Sequence, residues 1–280
     1  MTPLGDMLTP AYRMVGEGPE TVFFLHGIGG GRTSFDAQIG ALGPRYRHLA
    51  WDMPGYGGSS PLPEMTFPAL AQAAIRLLDA LHVERAHIVG HSMGGMVAQE
   101  LAIDHGERVV SLVLSATSPA FGKPGGDWQR AFLAARLAPL DAGKTPADLA
   151  PAVVAGLVTE DAPATAVDAA VASMSDISSD AYRAALTCLV TFDRRASLDR
   201  ITTPCLLLAG DADSVAPAPV MARMAEHIAD AHFVSLPGAG HLANLETPAA
   251  FNAAVADFLA SHPIARADDT GPDRQAARAD

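Results

Sequence analysis

Cysteine is nearly absent from this chain: of 280 residues only Cys188 and Cys205 are thiols, both in apolar surroundings. Two such residues read as reduced core side chains rather than as a disulfide, so nothing points to an oxidising compartment. Basic residues are also scarce. The 19 Lys and Arg against 31 Asp and Glu give a formal net charge of −12, which repels phosphate backbones and anionic bilayers and argues against nucleic acid and membrane surfaces as partners. No stretch approaches the ~18 uninterrupted apolar residues of a membrane span. Met1 to Met7 show no basic segment followed by an apolar run, so no signal peptide is expected and the expected location is cytoplasmic. The glycine-rich stretch His26-Gly27-Ile28-Gly29-Gly30-Gly31 lacks both the Lys-Ser/Thr of a P-loop and the G-x-G-x-x-G spacing, which argues against a phosphate cradle.

Hydrophobic residues are plentiful, at 49% of the chain, enough to bury a substantial core. They fall in a rhythm. An edge strand and turn are expected over 10–18, and Thr21 to Leu25 is a β-rich run ending at the glycine loop. Arg47 to Trp51 is another strand, stopped by the turn-rich Asp52-Met53-Pro54-Gly55-Tyr56-Gly57-Gly58-Ser59-Ser60. A helix is expected from Phe67 to Leu81, with Leu70, Ala74, Leu77, Leu78 and Leu81 on one face. Ala86 to Val89 is a strand, the helix after it is expected to end at Gly106 as C-cap, and Val109 to Leu114 is a strand again. Near-continuously apolar strands alternating with helices imply a parallel sheet covered on both faces.

The rhythm stops from about 118 to 198, where the chain is alanine-rich and helical and is expected to be broken into short pieces by Pro119, Pro124, Pro139, Pro146, Pro151 and Pro163. It resumes with strands at Pro204 to Gly210 and His232 to Leu236 and a last helix from Pro248 to Ser261. An insertion between two strands of one sheet reads as a cap over the strand ends, where ligands bind in open α/β sheets. The organisation expected is therefore a core of 1–117 and 199–264, a helical cap of 118–198 and a polar, disordered tail of 265–280.

The stretch that organises the chain is Gly90-His91-Ser92-Met93-Gly94, between a buried strand and a helix. A serine at so sharp a turn sits in strained backbone and needs glycine on both sides, and the turn raises its hydroxyl above the sheet edge. The helix N-terminus behind it points N–H groups at any oxyanion formed there. Serine needs a histidine base, itself oriented by a carboxylate. Gly210-Asp211-Ala212-Asp213 offers two acids, which in extended backbone face opposite ways, and Gly238-Ala239-Gly240-His241 offers the base.

These blocks together resemble the α/β-hydrolase fold over 10–117 and 199–262, carried by His26-Gly27, Asp52 to Ser59, the elbow, Gly210 to Pro217 and Gly240-His241. The resemblance implies a mostly parallel α/β sheet flanked by helices, Ser92 as nucleophile, His241 as base, and an oxyanion hole from the backbone N–H groups of Ile28 and Met93. Its G-x-x-D-x-x-x-P pattern selects Asp213 over Asp211 as the acid. His26 is expected to bond within its own loop, His91 to pack beside the elbow without touching substrate, and His227 to lie on a helix surface. The run from Gly240 to Glu246 and the Ser92-Met93-Gly94-Gly95-Met96 run look most like 3-oxoadipate enol-lactone hydrolases and small carboxylesterases.

Serine where a haloalkane dehalogenase carries aspartate, and Leu242 where many C–C hydrolases of ring-fission products carry tryptophan, favour ester or lactone cleavage. A C–C hydrolase or a catalytically weak ligand-binding receptor of the same fold are the alternatives. Phe121 and Trp128 are the expected substrate contacts, with Phe132, Met174 and Leu186 completing an apolar pocket. One of Arg130, Arg136, Arg183, Arg194 and Arg195 could turn inward to pair with a substrate carboxylate. The expected partner is a small ester or lactone, with no cofactor and no metal, and a homodimer is left open.

Overall fold

In the computed structural model, which describes residues 9–264, seven strands form one sheet. They are β1 (Tyr12–Val15), β2 (Glu20–Leu25), β3 (Tyr46–Trp51), β4 (Ala86–His91), β5 (Val109–Ser115), β6 (Cys205–Gly210) and β7 (Ala231–Leu236), in the order β1-β3-β2-β4-β5-β6-β7. Only β1 is antiparallel to its neighbour, pairing Tyr12 with Trp51. Every other pair is parallel. Strands β2, β4, β5 and β6 are buried along their whole length, as strands covered on both faces must be.

The helices are α1 (Asp36–Ile39), α2 (Phe67–Ala80), α3 (Met93–Asp104), α4 (Asp127–Asp141), α5 (Pro146–Ala155), α6 (Ala164–Ser175), α7 (Ser179–Leu189), α8 (Ala218–Ala225), α9 (Ala243–Glu246) and α10 (Pro248–Ser261). Alternation along the strands assigns their side chains to two layers. Phe23, Leu25, Ile88, Leu112 and Leu207 pack with α2 and α3, whereas Val22, Phe24, Val89, Val113 and Leu206 pack with α10. The first layer continues into α4–α7, the helices between β5 and β6: Tyr182, Leu186 and Phe192 belong to it, and the Phe192 ring lies 4.5 Å from that of Phe67. Both cysteines are buried free thiols, and burial pushes the Cys188 thiol up to about 12. Among the described residues no helix is long and apolar enough to cross a membrane.

Three local expectations are corrected. Helix α3 stops at Asp104 with His105 as C-cap, and Gly106 instead opens a 3-10 turn, Gly106–Arg108. Pro139 and Pro151 lie inside α4 and α5 rather than ending them. Each removes one helical hydrogen bond, which the buried contacts of Leu140 in α4 and of Ala150 and Val154 in α5 outweigh. His227 is exposed as expected, but α8 ends before it, at Ala225. The segment 265–280 expected to be disordered lies outside the described residues.

Candidate active site

Ser92 is the one residue between β4 and α3, with φ 53° and ψ −119°. A non-glycine residue in that region costs on the order of 1–3 kcal/mol, so the surroundings must hold it. They do so through both of its backbone polar groups. Its N–H donates to the Ser115 carbonyl at 2.9 Å, and its carbonyl accepts from the Thr117 hydroxyl at 2.8 Å and from Gly95 N–H at 3.0 Å. Glycine is needed alongside for space: a Cβ on Gly94 would stand 2.1 Å from the Leu25 carbonyl oxygen, and one on Gly90 2.5 Å from that of Gly94.

The side chain completes a hydrogen-bonded chain. Ser92 Oγ lies 3.0 Å from His241 Nε2, and His241 Nδ1 lies 2.8 Å from Asp213 Oδ2. With the carboxylate able only to accept, Nδ1 carries the proton and donates to it, which leaves Nε2 as acceptor for the serine hydroxyl. Burial alone would push the Asp213 carboxyl up. The hydrogen bond from His241, with those from Val215 and Ala216 N–H to Oδ1 at 2.7 and 3.0 Å, outweighs it and holds the group below its ordinary value. Asp211 is exposed and accepts from Gly238 N–H at 2.8 Å, away from the imidazole.

The glycine loop abuts the serine: a Cβ on Gly27 would touch Ser92 Cβ at 3.0 Å. His26 bonds within this loop, donating from Nδ1 to the Gly27 carbonyl at 2.8 Å, but it also accepts the Met53 N–H at 3.0 Å, joining the loop to the turn after β3. From the same turn the Tyr56 hydroxyl donates to the Ile28 carbonyl at 2.9 Å, fixing that peptide. The Met93 side chain is buried in the core, and its backbone opens α3 directly after Ser92.

Ser92 and His241 open into a cavity of about 790 Å3, also lined by Ile28, Phe121, Trp128 and Phe132. The Phe121, Trp128 and Phe132 rings cluster with centroids 5.0 to 5.5 Å apart, Trp128 stacked on Phe132 and Phe121 meeting Phe132 edge-on. Met174 and Leu186 line it too. The five arginines singled out between β5 and β6 divide. Arg130, Arg183, Arg194 and Arg195 pair with Asp127, Asp141, Glu100 and Asp193. Arg136 alone lines the cavity, its guanidinium 5.4 Å over the Phe132 ring, and among the described residues no carboxylate pairs with it.

Two contacts escape a reading of the sequence. His91 lines the cavity and its Nε2–H donates to the His241 carbonyl at 2.9 Å. Burial and the nearby His241 lower it to about 3, so it stays neutral. Glu246 binds the backbone on both sides of His241. Its place five residues after the histidine, at the end of the Gly240 to Glu246 run, is its one signal in the sequence, and that signal carries nothing of the Thr159 contact.

Known proteins are similar to this chain over most of its length. Residues 22–254 match the profile of the Alpha/beta hydrolase family. RutD of Variovorax paradoxus, provisionally named a carbamate hydrolase, is 34% identical over 251 residues, covering 86% of this chain and 92% of that protein. The 3-oxoadipate enol-lactonase 1 of Acinetobacter baylyi is 28% identical over 250 residues, 87% of this chain and 91% of its own. The crystal structure of the enol-lactonase from Burkholderia xenovorans LB400 superposes with a TM-score of 0.79 at 27% identity, covering 89% of this chain and 95% of that one.

Proposed function

The chain belongs to the alpha/beta hydrolase family, and on that premise we propose that it is a serine hydrolase cleaving a carboxylic ester or lactone through an acyl-enzyme on Ser92. The observation that carries this reading is the continuous chain Ser92 Oγ, His241, Asp213 opening into an apolar cavity. His241 Nε2 takes the hydroxyl proton as Oγ attacks the carbonyl carbon, and Asp213 stabilises the imidazolium that forms. The backbone N–H groups of Ile28 and Met93 receive the oxyanion. The imidazolium then protonates the departing alkoxide, which leaves as the alcohol, or stays attached as the hydroxyl end of an opened lactone. Water, deprotonated by His241, releases the acid and restores Ser92.

The apolar Phe121, Trp128 and Phe132 take the acyl or alcohol chain, and Arg136 at the same wall suits a substrate that also carries a carboxylate. The test is a panel of p-nitrophenyl esters, enol-lactones, ring-fission products and carbamates, run beside labelling by a serine-directed fluorophosphonate. The expected result is turnover of an ester or lactone, unaffected by EDTA, with the adduct mapping to Ser92. A label elsewhere, or ring-fission products or carbamates turned over at least about a hundredfold faster than any ester or lactone, would displace this reading.

A further inference from the structure

The loop that carries His241 is fastened to the cap as well as to the core. On the core side, His91 Nε2–H holds the His241 carbonyl. The N–H of His241 itself donates at 2.8 Å to the carbonyl of Leu157, in the connection between α5 and α6. Glu246, buried at 6% exposure, spans the same junction. Its Oε1 accepts the N–H groups of Gly240 and Leu242, the two neighbours of His241, each at 3.1 Å. Its Oε2 accepts the N–H and the hydroxyl of Thr159 at 2.8 and 3.1 Å. Gly240 leaves room for this: a Cβ there would stand 2.9 Å from the Leu157 carbonyl oxygen and 3.0 Å from Glu246 Oε1.

A carboxylate serving the loop alone would need only its Gly240 and Leu242 bonds. This one divides its two oxygens between the peptides that flank the imidazole and a cap residue 87 positions away in the chain. Among the described residues no cation pairs with it, so four polar donors satisfy its charge. We propose that Glu246 is a positioning residue that couples the seat of the cap to the aim of the His241 imidazole, so that the base is aligned on Ser92 only while the 157–159 connection is docked. The proposal rests on the reading of Ser92 and His241 given above. It makes the cap part of the catalytic machinery as well as the wall of the pocket.

The experiment compares wild type with Glu246→Ala, Glu246→Gln and Thr159→Val on p-nitrophenyl butyrate over pH, together with melting temperatures and the downfield proton resonance of His241 Nδ1–H. Misalignment of a reacting group by about 1 Å costs about a hundredfold, so kcat of Glu246→Ala should fall about 10- to 100-fold with KM within about twofold. The acid limb of its pH profile should move, and the Nδ1–H resonance should shift or broaden. Glu246→Gln keeps the volume but has one acceptor oxygen to divide between the two sides, and it should show the same pattern more weakly. That variant decides the matter if the alanine form does not fold.

Thr159→Val, which loses one hydroxyl donor on the cap side, should lower kcat about threefold. Lower melting temperatures with kcat, pH profile and resonance unchanged would overturn the proposal. A silent Thr159→Val beside an impaired Glu246→Ala would confine Glu246 to the loop and overturn the coupling to the cap. A fully active Ser92→Ala would instead remove the underlying reading, an outcome distinguishable because it does not depend on any Glu246 variant.

Discussion

Asp211 and Asp213 stand two residues apart and serve different partners: Asp213 Oδ2 lies 2.8 Å from His241 Nδ1, while Asp211 accepts the Gly238 N–H at 2.8 Å on the surface. Only the first can fix the tautomer that leaves Nε2 free to take a proton. Asp213→Asn should therefore lower kcat by about 10⁴-fold, the scale seen when a triad carboxylate becomes an amide. Asp211→Asn should stay within about threefold, since it keeps an oxygen acceptor for Gly238. Steady-state kinetics on one ester decides this, and equal losses would reassign the acid.

Ser92 makes its structural bonds through its backbone, to Ser115, Thr117 and Gly95, and among the described residues its side chain bonds only to His241. Ser92→Ala should accordingly fold with a melting temperature within a few degrees of wild type while losing turnover by about 10⁴-fold or more. Retention of a tenth of the activity, on protein shown to be free of wild type, would remove Ser92 as the nucleophile.

The elbow was legible in the sequence because its demands are local: a strained serine forces glycine at 90 and 94, where a Cβ would stand within 2.5 Å of a backbone oxygen. The strand ends were legible for the same kind of reason, since alternation and apolar runs act over a few residues. What stayed hidden depends on partners far along the chain. His91 meets the carbonyl of a residue 150 positions later, and Glu246 meets Thr159 from 87 positions away. No spacing rule encodes such pairs. Pro139 and Pro151 misled for a related reason: the breaking tendency is local, whereas the packing of Leu140 and Val154 that overrides it is tertiary.

Arg136 differs from the other four arginines between β5 and β6 in lining the cavity without a carboxylate partner among the described residues. It lies on the exposed side, so a substrate carboxylate would meet it in partial solvent and gain modestly. Arg136→Ala should lower kcat/KM about tenfold for an ester or lactone bearing a free carboxylate. It should leave p-nitrophenyl acetate within about twofold. Equal effects on both substrates would show that Arg136 acts through its packing on Phe132.

Acid should destabilise the fold before it protonates most carboxylates. Burial lowers His26, His48, His87 and His91 from the ordinary 6.5, His91 to about 3. The unfolded chain binds protons at these sites near pH 6.5 while the folded chain does not, so folding loses stability as pH falls. The sign follows from the depressed values: the contribution is complete above pH 6.5, and for His91 it declines until about 3. Asp213, also held below its ordinary 3.8, adds to the loss only at the acid end of that window. Melting temperatures should therefore drop by several degrees between about pH 7.5 and about pH 5. His91→Gln, whose amide can still donate to the His241 carbonyl but does not titrate, should flatten part of that slope whatever its effect at neutral pH. Identical melting temperatures at the two pH values would show that these histidines take up protons as readily folded as unfolded, and an unchanged slope in the variant would show the same of His91 alone.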